Sequence, residues 1–200
     1  MLEYTLENEL YEQGYKFVCG VDEAGRGPLC GPVVAAAVIL PCGLYIEGLN
    51  DSKKLTEKIR EKLFDIICES AIAFSIEQGS VEEINNTNIL ETTMNTMRRA
   101  INNLAQKADF ALVDGNIVRD FPINARPIIH GDAISPSIAA ASILAKVTRD
   151  RLCIEMDKQY PQYNIAKHKG YGTREHMELL RLHGAEPTIY RQKFIRFLDK

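Results

Sequence analysis

The eight residues from Val33 to Leu40 carry no polar side chain, and Pro41 stops the run. Such a run is too short for an independent helix and does not alternate like a half-solvated strand, so it predicts a strand buried in a sheet. A second apolar run, Phe17 to Val21, precedes it across a glycine-rich loop. Two adjacent strands are therefore expected to flank that loop.

Elsewhere the period lengthens. Leu2, Leu6 and Leu10 recur among glutamates and predict a short amphipathic helix ending at Gly14. Ile59, Leu63, Ile66 and Ile67 place a helix between Thr56 and Ala71, and the alternation from Ala71 to Ile76 predicts a third strand. A helix is expected over Asn88 to Ala108, then short strands at Phe110 to Val113 and Arg126 to His130. Ser135 before Pro136 is an N-cap and N1 pairing that opens a long helix to about Tyr160, and a last helix runs from Thr173 to His183 before Gly184. Strands first, then strands alternating with helices, argue one α/β domain over residues 1–200, with a mixed central sheet and a basic, mostly helical part from about 135.

Net charge is only -3, but its distribution is uneven: residues 1–143 hold 12 basic against 20 acidic side chains, residues 144–200 hold 12 against 7. A basic C-terminal quarter suits a phosphate backbone, and cations can neutralise the acidic remainder. Of the five cysteines none forms a C-x-x-C pair, and Cys19, Cys68 and Cys153 interrupt apolar runs, which argues against zinc and disulfides and fits a reducing cytosol. No segment has the pattern of an export signal or a membrane span, so a cytoplasmic protein is expected.

The chemistry is concentrated where strands end. Asp22 and Glu23 close the first apolar run, and three glycines and two prolines follow in Ala24-Gly25-Arg26-Gly27-Pro28-Leu29-Cys30-Gly31-Pro32. Side chains alternate along a strand, so both carboxylates serve one site only if the chain turns there, which Gly25 and Gly27 permit. Asp114 and Asp132 each follow an apolar strand and each adjoins a glycine. Residues alone leave two readings open: an acidic surface turn, or carboxylates gathered around a hard cation such as Mg2+ or Mn2+.

Five ordered blocks then carry a resemblance: Asp22-Glu23-Ala24-Gly25-Arg26-Gly27-Pro28, Asp51-Ser52-Lys53-Lys54-Leu55, Leu112-Val113-Asp114-Gly115-Asn116, Ser137 to Val147, and His168-Lys169-Gly170-Tyr171-Gly172-Thr173. Together they resemble the ribonuclease HII family. The resemblance implies a ribonuclease H-like fold and a Mn2+- or Mg2+-dependent endonuclease. Such an enzyme hydrolyses the RNA strand of RNA-DNA hybrids and cuts 5' to ribonucleotides embedded in duplex DNA, through two metal ions, leaving 3'-hydroxyl and 5'-phosphate ends. It further implies that Asp22, Glu23, Asp114 and Asp132 hold the metals. Gly25, Arg26 and Gly27 sense the ribose 2'-hydroxyl, Tyr171 packs on the sugar at the DNA side of the junction, and Lys53 and Lys54 touch phosphate.

Two positions depart from the family pattern: Tyr190 stands where a histidine is common, and His130 where a lysine is frequent. The sister family, ribonuclease HIII, normally has an extra N-terminal domain and a different loop after the first carboxylates, and is not expected here. A non-catalytic nucleic-acid-binding module is disfavoured by the full set of four carboxylates. Ser135 is expected to cap a helix and Ser142 is not expected to act as a nucleophile. His168, His176 and His183 are expected to be solvated or capping, and Lys146 to be a surface cation. Gln192, Ile195 and Phe197 do not form a clamp-docking set, so a core-packing tail and a monomer without a clamp partner are expected.

Overall fold

In the computed structural model, which describes residues 2–199, the two apolar runs are neighbours. β1 (Val18–Ala24) and β2 (Val33–Ile39) pair antiparallel, with Val21 opposite Ala37. β3 (Ala73–Gly79) extends this pair antiparallel on the far side of β2. β4 (Phe110–Asp114) and β5 (Asn124–Ile128) add parallel strands beyond β1, giving the order β3-β2-β1-β4-β5 in a mixed sheet.

Every β2 side chain is buried because helices cover both faces. Against one face, Cys19, Val21, Ala35 and Val113 pack with Met94, Met97 and Ile101 of the helix Ile89–Asn102. Against the other, Val34, Ala36 and Val38 meet Ala140, Ala141 and Leu144 of the long helix Pro136–Gln159, together with Leu63 and Ile67 of the helix Glu57–Ser70. The long helix is buried nearly all round from Pro136 to Asp150, where it is central, and turns partly to solvent beyond. Its first turn touches β1 backbone to backbone: a Cβ on Gly20 would lie 2.0 Å from the carbonyl carbon of Ser137.

Local signals are realised as written. Thr56, Asn88, Ser135 and Thr173 each accept an amide of the helix they open, and Gly14 and Gly184 end theirs at positive φ. Ser135 also belongs to a buried cluster in which its hydroxyl and that of Ser137 donate to Glu7 of the helix Thr5–Glu12, tying the N-terminal helix to the start of the long one.

Other expectations need correction. The helix expected over Asn88 to Ala108 ends at Asn102, because Asn103 leaves the helical path before Leu104 buries. β3 and β5 are shifted relative to the runs that suggested them, and short helices at Val81–Asn86 and Ile165–His168 were not apparent. Cys19 and Cys153 are buried as expected, whereas Cys68 is only partly so. Ile195, Phe197 and Leu198 pack against a C-terminal cluster built from Cys153, Tyr163, Leu180 and Tyr190. Among the described residues no helix is long and apolar enough to cross a membrane.

Candidate active site

Parallel pairing brings the carboxylates together. Val21 lies opposite Val113, so the next residues, Asp22 and Asp114, stand level on adjacent strands and point to the same face. Asp132 reaches that face from a 3-10 turn, Gly131–Ala133, between β5 and the long helix. It does not terminate a strand directly: β5 stops at Ile128, and His130 adopts the left-handed conformation that turns the chain. Asp114 Oδ1 accepts the amide of Gly131 at 2.7 Å, which fastens this turn to the end of β4.

Asp22 and Glu23 open on one cavity of about 230 Å3, also lined by Ala24, Gly25, Arg26, Gly27, Lys53, Asp114, Lys146, Arg149 and Tyr171. β1 stays regular through Ala24, so the turn that frees both side chains comes at Gly25, later than the two carboxylates themselves. Of Gly25 and Gly27, the first alone needs glycine for its backbone, at φ +100°; a Cβ there would also lie 2.1 Å from Arg149 Nε. Gly27 has ordinary room, its nearest neighbour for a Cβ being Tyr171 Cε1 at 3.6 Å.

Electrostatics set this cavity apart. Burial, then the charges of Glu23, Asp114 and Asp132, push the Asp22 carboxyl well above the usual range. Burial and Asp132 raise Asp114 as well, and burial raises Glu23 against the pull of Arg26. Lys53 Nζ lies 3.2 Å from Asp132 Oδ2, and Arg26 Nη1 3.4 Å from Glu23 Oε1. Asp22, with 4% of its surface exposed, has no basic side chain within ion-pair distance among the described residues. As they stand, no three Asp, Glu, His or Cys side chains among the described residues enclose a single point tightly enough to clasp an ion. The donor set nevertheless fits a hard divalent cation: all oxygen, buried, and mutually repelling without added positive charge.

The remaining expected residues divide. Arg26, Gly27 and Tyr171 face the cavity, and Tyr171 keeps 47% of its surface exposed. Lys54 does not line it, lying 3.8 Å from Asp51 instead. Lys146 is no free surface cation, since its Nζ is 2.6 Å from Asp150 Oδ1. His168 and His176 are not solvated: they stack at 3.9 Å inside the C-terminal lobe, whereas His183 is exposed. Tyr190 is buried too, its hydroxyl 2.8 Å from His176 Nε2. Sequence reasoning missed the buried guanidiniums of Arg149 and Arg191, which hold the loop after β1 from beneath. For Arg149 the one sequence sign was a basic residue at the end of the largely apolar first part of the long helix, and Arg191, outside any helix, carried none.

Comparison with known proteins supplies the family and the fold. The ribonuclease HII family profile matches residues 19–197. Ribonuclease HII of Acetivibrio thermocellus is 54% identical over 190 residues, 95% of this chain and 74% of that one. Among solved structures, the ribonuclease H2 of Pyrococcus horikoshii superposes with a TM-score of 0.74 at 28% identity, covering 92% of this chain and 100% of that one. The ribonuclease HII of Archaeoglobus fulgidus, seen in a complex with PCNA, gives a TM-score of 0.74 at 25% identity over 92% and 97%. A mixed sheet flanked by helices, carboxylates on adjacent strand ends and a family match over most of the length lead to one assignment: the chain has the ribonuclease H-like fold, is a nuclease, and belongs to the ribonuclease HII family.

Proposed function

We propose that this chain is a divalent-metal-dependent endonuclease that hydrolyses the RNA strand of RNA-DNA hybrids and cuts 5' to ribonucleotides embedded in duplex DNA, leaving 3'-hydroxyl and 5'-phosphate ends. The observation that carries the reading is Asp22: a buried carboxylate, level with Asp114 and near Glu23 and Asp132, with no cation of its own. In this reading residues 1–200 form one catalytic domain, and Asp22, Glu23, Asp114 and Asp132 hold two Mg2+ or Mn2+ ions. Divalent cations supply Lewis acidity and neutralise charge at the reacting phosphate.

The chain's own residues bind and select. Lys53 and Arg26 sit beside the carboxylates, where they meet the phosphates flanking the cut. Arg26 and Gly27, both exposed, line the same cavity as Asp22, and in this reading their backbone tests for a 2'-hydroxyl. Tyr171 faces Gly27 across that cavity and offers a ring to the next sugar. Lys54, turned to Asp51, is left with a lesser, peripheral phosphate contact. The nucleic acid is the partner in this reading. A sliding clamp is not included, because the side chains it would grip, Ile195 and Phe197, pack against the C-terminal cluster.

The test is a labelled duplex with one ribonucleotide, incubated with Mg2+, with Mn2+ and with chelator, its product ends identified. Metal-dependent cutting on the 5' side with a 3'-hydroxyl is expected. No cutting with either metal, or cyclic phosphate ends, overturns the reading.

A further inference from the structure

We infer that Arg191 is a positioning residue that turns two backbone amides, those of Arg26 and Gly27, outward into the cavity as the donors that meet the substrate sugar. The inference rests on the proposed function for its substrate and deepens it by naming what builds the sugar-reading surface.

The geometry starts from an unusual burial. Arg191 is 0% exposed, and among the described residues its guanidinium has no carboxylate partner. Its donors go to main-chain carbonyls of one loop: Nη2 to Gly25 at 2.7 Å, Nη1 to Arg26 at 3.1 Å and to Pro28 at 2.8 Å, Nε to Gly31 at 2.9 Å, and Nη2 to Pro32 at 3.1 Å. Phe194 covers the group at 5.4 Å from its ring centre. Arg149 adds bonds to Cys30 and Pro32 from the long helix.

A trans peptide points its N–H opposite to its C=O, and every peptide here is trans. Holding a carbonyl inward therefore aims the following amide outward. The rule can be checked inside the same loop. Pro28's carbonyl turns in to Arg191, and the next amide, Leu29, points away and donates to Gly170 O at 2.8 Å. Cys30's carbonyl turns in to Arg149, and the next amide, Gly31, donates to Ile189 O at 2.8 Å. By the same geometry, the carbonyls of Gly25 and Arg26 send the amides of Arg26 and Gly27 outward. Neither of these two donates to another described residue, and both residues are exposed on the cavity wall.

Burying a guanidinium without a counter-ion is costly, and here burial, then Arg149, pull its pKa down to about 9. Stability alone does not require that cost, since an apolar side chain and a loop bonded to itself would serve. A planar fork with five donors is what reaches five carbonyls at once; lysine, a single point with three donors, does not.

The experiment compares wild type, Arg191→Lys, Arg191→Ala and, as a control destabilised in the same apolar cluster but with no side-chain hydrogen bond to the loop, Leu180→Ala. Two quantities are read at equal folded fraction: kcat/KM on a duplex with one ribonucleotide, and affinity for the all-DNA duplex of the same sequence. Arg191→Lys is expected to lose about tenfold to a hundredfold in kcat/KM, the worth of one or two hydrogen bonds, while all-DNA affinity stays within about twofold of wild type. Adding guanidinium at low millimolar concentration is expected to restore activity in Arg191→Ala and not in Leu180→Ala. Wild-type kcat/KM in Arg191→Lys, equal losses on both duplexes, or absence of guanidinium rescue in folded Arg191→Ala overturns the inference. If wild type itself does not cut the ribonucleotide, it is the proposed function that has failed.

Discussion

The hydroxyl of Tyr190 lies 2.8 Å from Nε2 of His176, whose Nδ1 lies 2.9 Å from the carbonyl oxygen of Tyr171. A carbonyl only accepts, so Nδ1 carries the proton, Nε2 is the acceptor and Tyr190 donates. The phenol of Tyr190 thus completes a chain of bonds that ends on the main chain of Tyr171, the loop tyrosine of the site.

One prediction concerns pH. Burial, and then His168, hold His176 down at about 4 against an ordinary value of 6.5. Below 6.5 the unfolded chain takes up a proton that the folded protein refuses. The contribution of this group to stability is therefore complete above 6.5, falls as pH drops from 6.5 to 4, and levels off below that. The full loss is about 3 kcal/mol. In denaturant melts, the advantage of wild type over His176→Gln is expected to narrow between pH 7 and pH 4.5. An advantage that does not change with pH refutes the assignment.

Tyr190→Phe removes the donor and leaves Nε2 unpaired in the interior, at a cost of about 1–3 kcal/mol. If the bond also steadies Tyr171, Tyr190→Phe lowers kcat on a single-ribonucleotide duplex in wild type but not in a Tyr171→Ala background. Additive losses in the double mutant would show that the two tyrosines act separately.

Asp22→Asn is expected to abolish cutting while the melting temperature of the metal-free protein stays level or rises. The substitution removes a buried charge that three neighbouring carboxylates repel. Calorimetry checks the pairing of these effects: loss of Mn2+ binding together with an unchanged or higher melting point. Wild-type turnover by Asp22→Asn would remove the residue from the site.

Gly25 and Gly27 are expected to differ although both lie in the same Gly-Arg-Gly run. Gly25→Ala must hold φ near +100° and push Arg149 aside, costing about 3 kcal/mol or more. Gly27→Ala meets only ordinary contact, so it should melt like wild type yet cut less, its methyl standing between the loop and Tyr171. Equal melting temperatures for the two variants would contradict this.

Tyr171→Ala is expected to lose about one to two decades of rate on a single ribonucleotide in DNA, with little change in stability because about half of the residue is exposed. Tyr171→Phe keeps the ring and should lose less. Cleavage by Tyr171→Ala at the wild-type rate would end its assignment to the sugar.

What could be read from the sequence was local. Val33–Ile39 announced itself as buried, and Ser135 with Pro136 fixed a helix start to the residue. Asp22 and Asp114 were recognisable because a strand end is written in the residues on either side of it. Asp132 was misplaced by a few residues because the left-handed turn at His130 leaves no mark in an apolar count. His168 and His176 read from the sequence as solvated or capping side chains because their partners, each other and Tyr190, come from different elements. Arg191 was invisible for the same reason: nothing near it in the chain shows that it serves the loop after β1.

The bonds from Arg191 to that loop span 159 to 166 positions of chain. Contacts of such separation close late in folding, after the entropy of the intervening loop has been met. On a ribosome the order is stricter still, since residue 191 does not exist when the carboxylates of β1 first emerge. A nascent chain can thus gather its acidic strand ends while the guanidinium that shapes the loop is still missing, and under the proposed function the wall meant to meet the sugar is complete only when nearly all of the matched length has been translated.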